Sequence, residues 1–370
     1  MRSQQDATAT SRRNVAPFGL LRGEHGAALR LFFKAGNLRH LPRLLREGPR
    51  PILRLAIQAH NTSEILRLLR EGWRLNFVSS FPRSGNTWVR YLLADVFLQS
   101  NGVATNTELP VSPDKIVPDF YCHWIARRNV TIPTPGVFIK THENFAQLQA
   151  RFGRARFGSG PGANGAAPPF GGCKHIYLYR SPEDTLVSLF HYYDRQRHLK
   201  GKAAGGIDAF CRGNLPSWEE SLSSYLRAAE EGFPVLFVPY DLLLQYPTEI
   251  LSNLLRWLGA RHDAATVERA VSNMQFSKLQ ALEVRDRFDE AFFFRRGCKG
   301  SGRVELQPST MDLIQERTSR LMEQANARVL MQQSLQGAPA SSKTQQIRRD
   351  AAFQSRHSKR LPPVAGLSKA

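Results

Sequence analysis

Between a short apolar run and an amphipathic one, the chain carries Phe81-Pro82-Arg83-Ser84-Gly85-Asn86-Thr87-Trp88. Residues of these types at this spacing can hold an anion. A glycine permits the tight turn, Ser84 and Thr87 offer hydroxyls, and Arg83 can add a charge-assisted bond. A helix opening at this point would leave its first N–H groups free, with partial positive charge at its end, and both suit a phosphate. The stretch departs from the nucleotide-triphosphate signature G-x-x-x-x-G-K-[ST], because residues 80–87 lack the first glycine and the Gly-Lys-[Ser/Thr] ending. A plain strand-to-helix turn closed by a Ser/Thr cap is the competing reading of the loop alone. A second candidate is His142, which comes directly after the run Gly136-Val137-Phe138-Ile139-Lys140 and Thr141. An imidazole that is neutral near pH 7 can accept a hydroxyl proton. Glu143, next to it, is the rival base.

The loop 81–88 resembles the 5′-phosphosulfate loop of sulfotransferases that use 3′-phosphoadenosine 5′-phosphosulfate (PAPS), commonly written P-K-S-G-T-T-W. Three further stretches are similar to elements of that family. Arg180-Ser-Pro-Glu-Asp-Thr-Leu-Val-Ser188 pairs an arginine at a strand end with a serine eight residues later. Phe138-Ile139-Lys140-Thr141-His142 resembles the Lys-Thr-His of the cytosolic members. Phe294-Arg295-Arg296-Gly297-Cys298-Lys299-Gly300 keeps the elements of an Arg-Lys-Gly segment, although Ser301-Gly302 stands where the family has Asp-Trp. The resemblance implies PAPS as donor co-substrate and no metal, the basic residues themselves neutralising the donor. It implies that Arg83, Ser84, Gly85, Asn86, Thr87 and Trp88 bind the nucleotide, with Trp88 stacking on the adenine. Arg180, Ser188, Arg295, Arg296 and Gly297 would meet the 3′-phosphate, and Tyr240 and Phe276 would line the nucleoside pocket. His142 would be the catalytic base, with Arg83 and Lys140 facing the charge on the transferring group.

These residues need a scaffold that brings them to one edge. Leu75 to Ser80, Gly136 to Lys140, His175 to Tyr179 and Val235 to Pro239 read as buried strands. Helices are predicted over 87–98, 182–194, from near Trp218, and from Asp241 to about Leu258. Strands alternating with helices give an α/β fold, a P-loop-like parallel sheet with helices on both faces, in a single catalytic domain over 75–335. On such sheets ligands bind at the carboxyl ends of the strands. Residues 28–74 read as a helical extension of two or three short amphipathic basic helices broken near Pro51, which pack on the domain or lie on an acidic membrane surface. Residues 1–27 and 336–370 read as disordered basic ends, and 151–172 as a disordered glycine-rich insertion.

The 370 residues carry a net charge of +20, and its distribution matters more than its sum. Residues 1–75 account for +9 and residues 336–370 for +6, leaving the middle of the chain only mildly basic. That suits a polyanionic small molecule better than a nucleic-acid groove, so no nucleic-acid partner is expected. The four cysteines are far apart and show neither a zinc nor a disulfide framework. Without a secretory h-region or a long apolar span, the expectation is a cytoplasmic enzyme, although the Arg-rich start also has the composition of a transit peptide. The aromatic content of residues 100–135, with Phe120, Tyr121 and Trp124, points to a small or lipophilic alcohol as acceptor, and the basic charge to a sugar polymer (a glycan) or another anionic acceptor. The alternatives to a PAPS enzyme are a small-molecule kinase with a divergent phosphate loop and a non-catalytic membrane or nucleic-acid binder. The oligomeric state is left open.

Overall fold

Leu75–Ser80 (β1), Val137–Thr141 (β2), Lys174–Tyr179 (β3) and Val235–Pro239 (β4) are almost entirely buried. A strand covered on both faces has no position for an alternating polar residue, so it reads as a continuous apolar run and enters a parallel sheet. The computed structural model shows this sheet and describes residues 49–103, 112–125, 134–153, 169–195, 206–286, 300–335, 346 and 349–350. The strand order is β2-β1-β3-β4, all pairs parallel. The chain therefore leaves central β1 for β2 on one side and then crosses to β3 on the other.

Eleven helices are described: α1 (Pro49–Arg70), α2 (Asn86–Ser100), α3 (Phe145–Phe152), α4 (Pro182–Arg195), α5 (Gly206–Glu230), α6 (Tyr240–Gln245), α7 (Pro247–Leu258), α8 (Ala264–Asn273), α9 (Phe276–Asp286), α10 (Ser301–Glu305) and α11 (Pro308–Leu335). They cover the sheet, α2 packing with α8 and α7 with α8, while α5 packs with α4 and α11. Among these residues no helix is long and apolar enough to cross a membrane. Both sheet edges are closed. On β4, the Gln332 side chain of α11 accepts from the Phe237 N–H at 3.1 Å and donates to the Val235 carbonyl at 2.5 Å, and Pro239 has no N–H to expose. On β2, Lys140 donates to the Pro118 carbonyl and Phe120 to the Lys140 carbonyl, each at 2.9 Å.

Several elements differ from the sequence expectation, each for a local reason. Helix α1 begins at Pro49, with Pro51 in its first turn, where a missing N–H costs no helical bond, and the helices expected before Pro51 lie outside the described residues. The face of α1 bearing Ile65, Leu68 and Leu69 is buried in the core. Helix α5 begins at Gly206, not near Trp218, and runs through Pro216. Pro216 and Arg212, whose carbonyl loses its partner, are on the exposed side, while Cys211, Leu215, Trp218 and Leu222 hold the buried stripe. The single helix expected from Asp241 to Leu258 is two, since Pro247 restricts Tyr246 to a non-helical conformation. The glycine-rich insertion is shorter than 151–172: Phe152 closes α3, and Phe152 and Phe170 are both in the aromatic core. Residues 154–168 lie outside the described residues, as do 1–48 and most of 336–370; within that last stretch Asp350 accepts from the Tyr246 hydroxyl at 2.6 Å.

The core contains one misfit. His175 of β3 is wholly buried, stacked on Phe77 at 5.2 Å and flanked by Phe145 and Phe170, and neither ring nitrogen has a hydrogen-bond partner among the described residues. Removal from water pushes its pKa down to about 3. The unfolded chain therefore binds a proton that the native state refuses, and stability falls as pH drops from about 6.5. His175→Phe is expected to raise stability by about 1–2 kcal/mol at pH 7, since unpaired buried donors are removed. The gain should widen by about 2 kcal/mol at pH 5. Urea denaturation at the two pH values measures both.

Candidate active site

Parallel pairing in register sets the site. Ser79 lies opposite Thr141, Ser80 opposite Leu178, and Tyr179 opposite Pro239. The next residues along each strand, Phe81, His142, Arg180 and Tyr240, therefore all emerge at the carboxyl edge, in a row stepped by one residue from β2 to β1 and again from β1 to β3. That row straddles β1, where the chain reverses its direction across the sheet.

The loop after β1 turns through two left-handed residues, Arg83 at φ 72° and Gly85 at φ 99°. A Cβ at Gly85 would lie 2.4 Å from the Tyr240 ring, so the position excludes any side chain for reasons of both backbone and space. Arg83, which is not a glycine, adopts an uncommon conformation that aims its side chain across the row. Its Nε–H donates to Ser188 Oγ of α4 at 3.2 Å, and its guanidinium sits 5.0 Å from the Tyr192 ring centroid. Ser84 is buried, and its hydroxyl has no hydrogen-bond partner among the described residues. The Asn86 side chain is turned back into the sheet, donating to the Val78 carbonyl and to Ser80 Oγ, both at 3.1 Å. Thr87, half-buried, lies in the first turn of α2.

Tyr240 is the hub of the nucleoside side. Its ring lies 4.8 Å beneath the Arg180 guanidinium and 6.3 Å from the Trp88 ring, edge-on. Trp88 is buried and its indole N–H donates to the Met274 carbonyl at 2.7 Å, which fastens α2 to the turn that opens α9 at Phe276. Arg180 pairs with Asp184 at 3.5 Å. Asp184 also accepts from the Gly300 and Gly302 N–H groups at 2.9 and 2.8 Å. The chain leaving the Arg-Arg-Gly segment is thus pinned to α4. Arg295, Arg296 and Gly297 themselves lie outside the described residues. A Cβ at Gly302 would stand 2.6 Å from Glu183 Cβ, which explains why a glycine occupies the position where a tryptophan was expected.

On the other side of the loop, His142 Nδ1 lies 2.8 Å from the Ser80 carbonyl. A carbonyl can only accept, so Nδ1 carries the proton and Nε2 keeps its lone pair. Loss of hydration and the neighbouring Lys140 charge push the imidazole pKa down to about 3. The ring is neutral across the working range of most enzymes. Lys140 is itself buried and its ammonium meets Asp119 at 2.6 Å. Burial lowers the Lys140 pKa against the pull of Asp119. Burial alone would raise the Asp119 carboxyl, but the Lys140 charge outweighs it and holds the pKa below the ordinary value. Glu143 points away from this row, bonded to Arg151 at 2.6 Å.

Two residues of this arrangement carried no signal that was read from the sequence. Asp184 was accessible in principle, since Arg180 and Asp184 are spaced for one helical turn. Asp119 and Lys140 are 21 residues apart on different elements, and only the folded chain brings them together.

A family model described as a sulfotransferase domain matches residues 76–326. The chain is similar to cytosolic sulfotransferase 7 of Arabidopsis thaliana, 23% identical over 261 residues that make up 64% of this chain and 75% of that protein. It is also similar to flavonol 3-sulfotransferase of Flaveria bidentis, 26% identical over 250 residues, 60% and 74% of the two chains. Among solved structures, the mouse sulfotransferase SULT7A1 complexed with PAP aligns at 18% identity with a TM-score of 0.48, over 80% of this chain and 95% of that one. Retinol dehydratase in complex with androsterone and inactive cofactor PAP aligns at 17% identity and a TM-score of 0.46, over 67% and 80%.

The triple engagement of Asp184 makes it the brace of this edge. Asp184→Ala, by leaving the buried Arg180 without its counter-ion and two N–H groups without an acceptor, is expected to cost about 3–5 kcal/mol. Asp184→Asn, which keeps one acceptor oxygen, should cost visibly less. Urea denaturation of the two variants tests the order.

Proposed function

The chain belongs to the sulfotransferase domain family, and on that premise we propose that it moves the sulfuryl group of PAPS to the hydroxyl of an acceptor molecule. The observation that carries the reading is the His142 tautomer. With Nδ1–H bonded to the Ser80 carbonyl, Nε2 is held as a proton acceptor in the same row as Arg83, Arg180 and the loop 81–88. Neutral imidazole is the form that general-base catalysis needs.

The residues present fit the donor. The buried Ser84 hydroxyl, which has no partner among the described residues, and the N-terminal N–H groups of α2 are suited to the 5′-phosphosulfate end. Arg180 and Ser188, with Arg295 and Arg296 contributed from the segment before Gly300, are suited to the 3′-phosphate. Tyr240, Trp88 and Phe276 would line the nucleoside side. PAPS supplies an already activated sulfuryl group, so the protein's task is positioning and charge stabilisation. His142 takes the acceptor's hydroxyl proton at Nε2. Arg83 and Lys140 oppose the negative charge that develops, Lys140 with Asp119 held against it. The same developing charge favours protonation of the imidazole, offsetting the depressed basicity it has in the free protein. Arg83 acts by its field, since arginine does not give up a proton at neutral pH. Glu143 is the weaker candidate for the base because Arg151 already neutralises it.

Two measurements test this. PAP, the desulfated nucleotide, should raise the melting temperature without magnesium, by an amount corresponding to about 2.7 kcal/mol at a hundredfold excess over its Kd. ATP with magnesium should give no such shift; stabilisation by ATP alone would favour a kinase. His142→Ala should lower transfer from labelled PAPS by about 10²–10⁴-fold with the PAP shift retained. Glu143→Gln should keep most of the activity, and the reverse pattern would reassign the base.

A further inference from the structure

The family match begins at residue 76, so α1 lies outside it. Yet α1 grips the segment that bears Asp119. Asn61, in the middle of α1, is completely buried. Its Nδ2 donates to the carbonyls of Phe120 and His123, each at 2.8 Å, and its Oδ1 accepts from the Ile125 N–H at 2.9 Å. One side-chain amide thus satisfies three backbone groups of 120–125. A segment without a helix or strand of its own must find such partners or leave buried groups unpaired. His60 adds a bond to the Ile125 carbonyl at 3.1 Å and packs against the Trp124 ring at 4.9 Å. The near end of the segment is tied to α2, where Arg90 donates to the Val117 carbonyl at 2.9 Å and pairs with Asp114. Between these two anchors stands Asp119, whose carboxylate accepts from the Tyr121 N–H at 2.9 Å and from Lys140 at 2.6 Å.

We propose that Asn61 is a positioning residue for catalysis: by clamping residues 120–125 it fixes Asp119 against Lys140, and so sets the charge beside His142 on the acceptor side of the site. The inference rests on the sulfotransferase reading, which it deepens by making α1 part of the working enzyme. The physical reason is a short lever. Asp119 is one residue from Phe120, and the Lys140 ammonium is worth far more to Asp119 at hydrogen-bond distance than a few ångströms away, because the pair is buried. Loss of the clamp frees the carboxylate to drift, which leaves the Lys140 charge less compensated and the imidazole harder to protonate. Nothing in this chain of contacts reaches Arg83, Ser188, Arg180 or Tyr240. The donor side should not respond.

The experiment uses the full chain and 2-naphthol as probe acceptor with labelled PAPS. Asn61→Ala should lower kcat/KM for 2-naphthol at least tenfold while the Kd for PAP stays within about twofold. Asp119→Asn should do the same, and the double variant should be no more than about threefold worse than the worse single one, since both remove the same interaction. Additive losses, an equal loss of PAP affinity, or unchanged kcat/KM in Asn61→Ala would each overturn the proposal. Asn61→Asp keeps the acceptor for Ile125 and the side-chain volume, and is read in the same way if the alanine variant does not fold. If neither folds, hydrogen exchange of the wild type decides. The Ile125 amide must then open together with the amides of α1, and opening with β2 instead contradicts the clamp. A wild type that neither binds PAP nor modifies 2-naphthol would defeat the sulfotransferase reading, whereas the exchange result would still judge the clamp.

Discussion

In-register parallel pairing of β1 with β2 and β3 is the constraint on which the site depends. Because Ser79 is opposite Thr141 and Ser80 opposite Leu178, the chain has no freedom to place His142 anywhere but beside the end of β1. The Ser80 carbonyl at the end of β1 accepts from the imidazole. One hydrogen bond thereby closes the sheet edge and selects the tautomer. A one-residue slip of β2 would send Phe138 and Lys140 to the face that Ile139 now occupies and remove the base from the row. The covered edges at Gln332 and at Phe120 guard that register from both sides of the sheet.

Charge is handled by the same edge. Two buried cations, Lys140 and Arg180, each stand against a buried carboxylate, Asp119 and Asp184. Burying a lone cation would be costly, and a paired one can be buried with its hydrogen bonds satisfied. The pairing leaves local neutrality on either side of the anion-binding loop. The excess charge of the chain lies mainly in the sequence of its ends. Asp184 does more than neutralise: by also holding the N–H groups of Gly300 and Gly302 it joins the exit of the Arg-Arg-Gly segment to the helix that carries Ser188.

The strands were legible in the sequence because burial on both faces makes them continuous apolar runs, and their ends pointed to the residues of the row. What was not legible has a common cause. Asp119 and Asn61 work through contacts across tens of residues, and an aspartate after a proline or an asparagine inside a helix has no local pattern that marks it. Pro216 shows the opposite failure, a strong local signal overridden by packing. The stripe of Cys211, Leu215, Trp218 and Leu222 is buried more deeply than one lost hydrogen bond can oppose, and the proline faces water. The bond from the Trp88 indole N–H to the Met274 carbonyl is likewise a contact between distant residues that the loop motif does not reveal.

Arg83 illustrates how a departure from a family pattern acquires a physical reason. Lysine is the usual residue at this place in the motif, and from the sequence alone arginine keeps the charge, adds a fork geometry and cannot act as an acid at neutral pH. In the folded chain the guanidinium has two different neighbours, a hydroxyl at its Nε and an aromatic ring facing its plane. A planar fork can donate in its plane and stack on its face at once, and an ammonium offers no such division. Ser188 and Tyr192 are four residues apart on α4, one turn of the same helix, so a single surface presents both partners. The left-handed backbone at Arg83 is the cost of aiming the side chain at that surface. An arginine here is therefore matched to Tyr192 in shape as well as in charge.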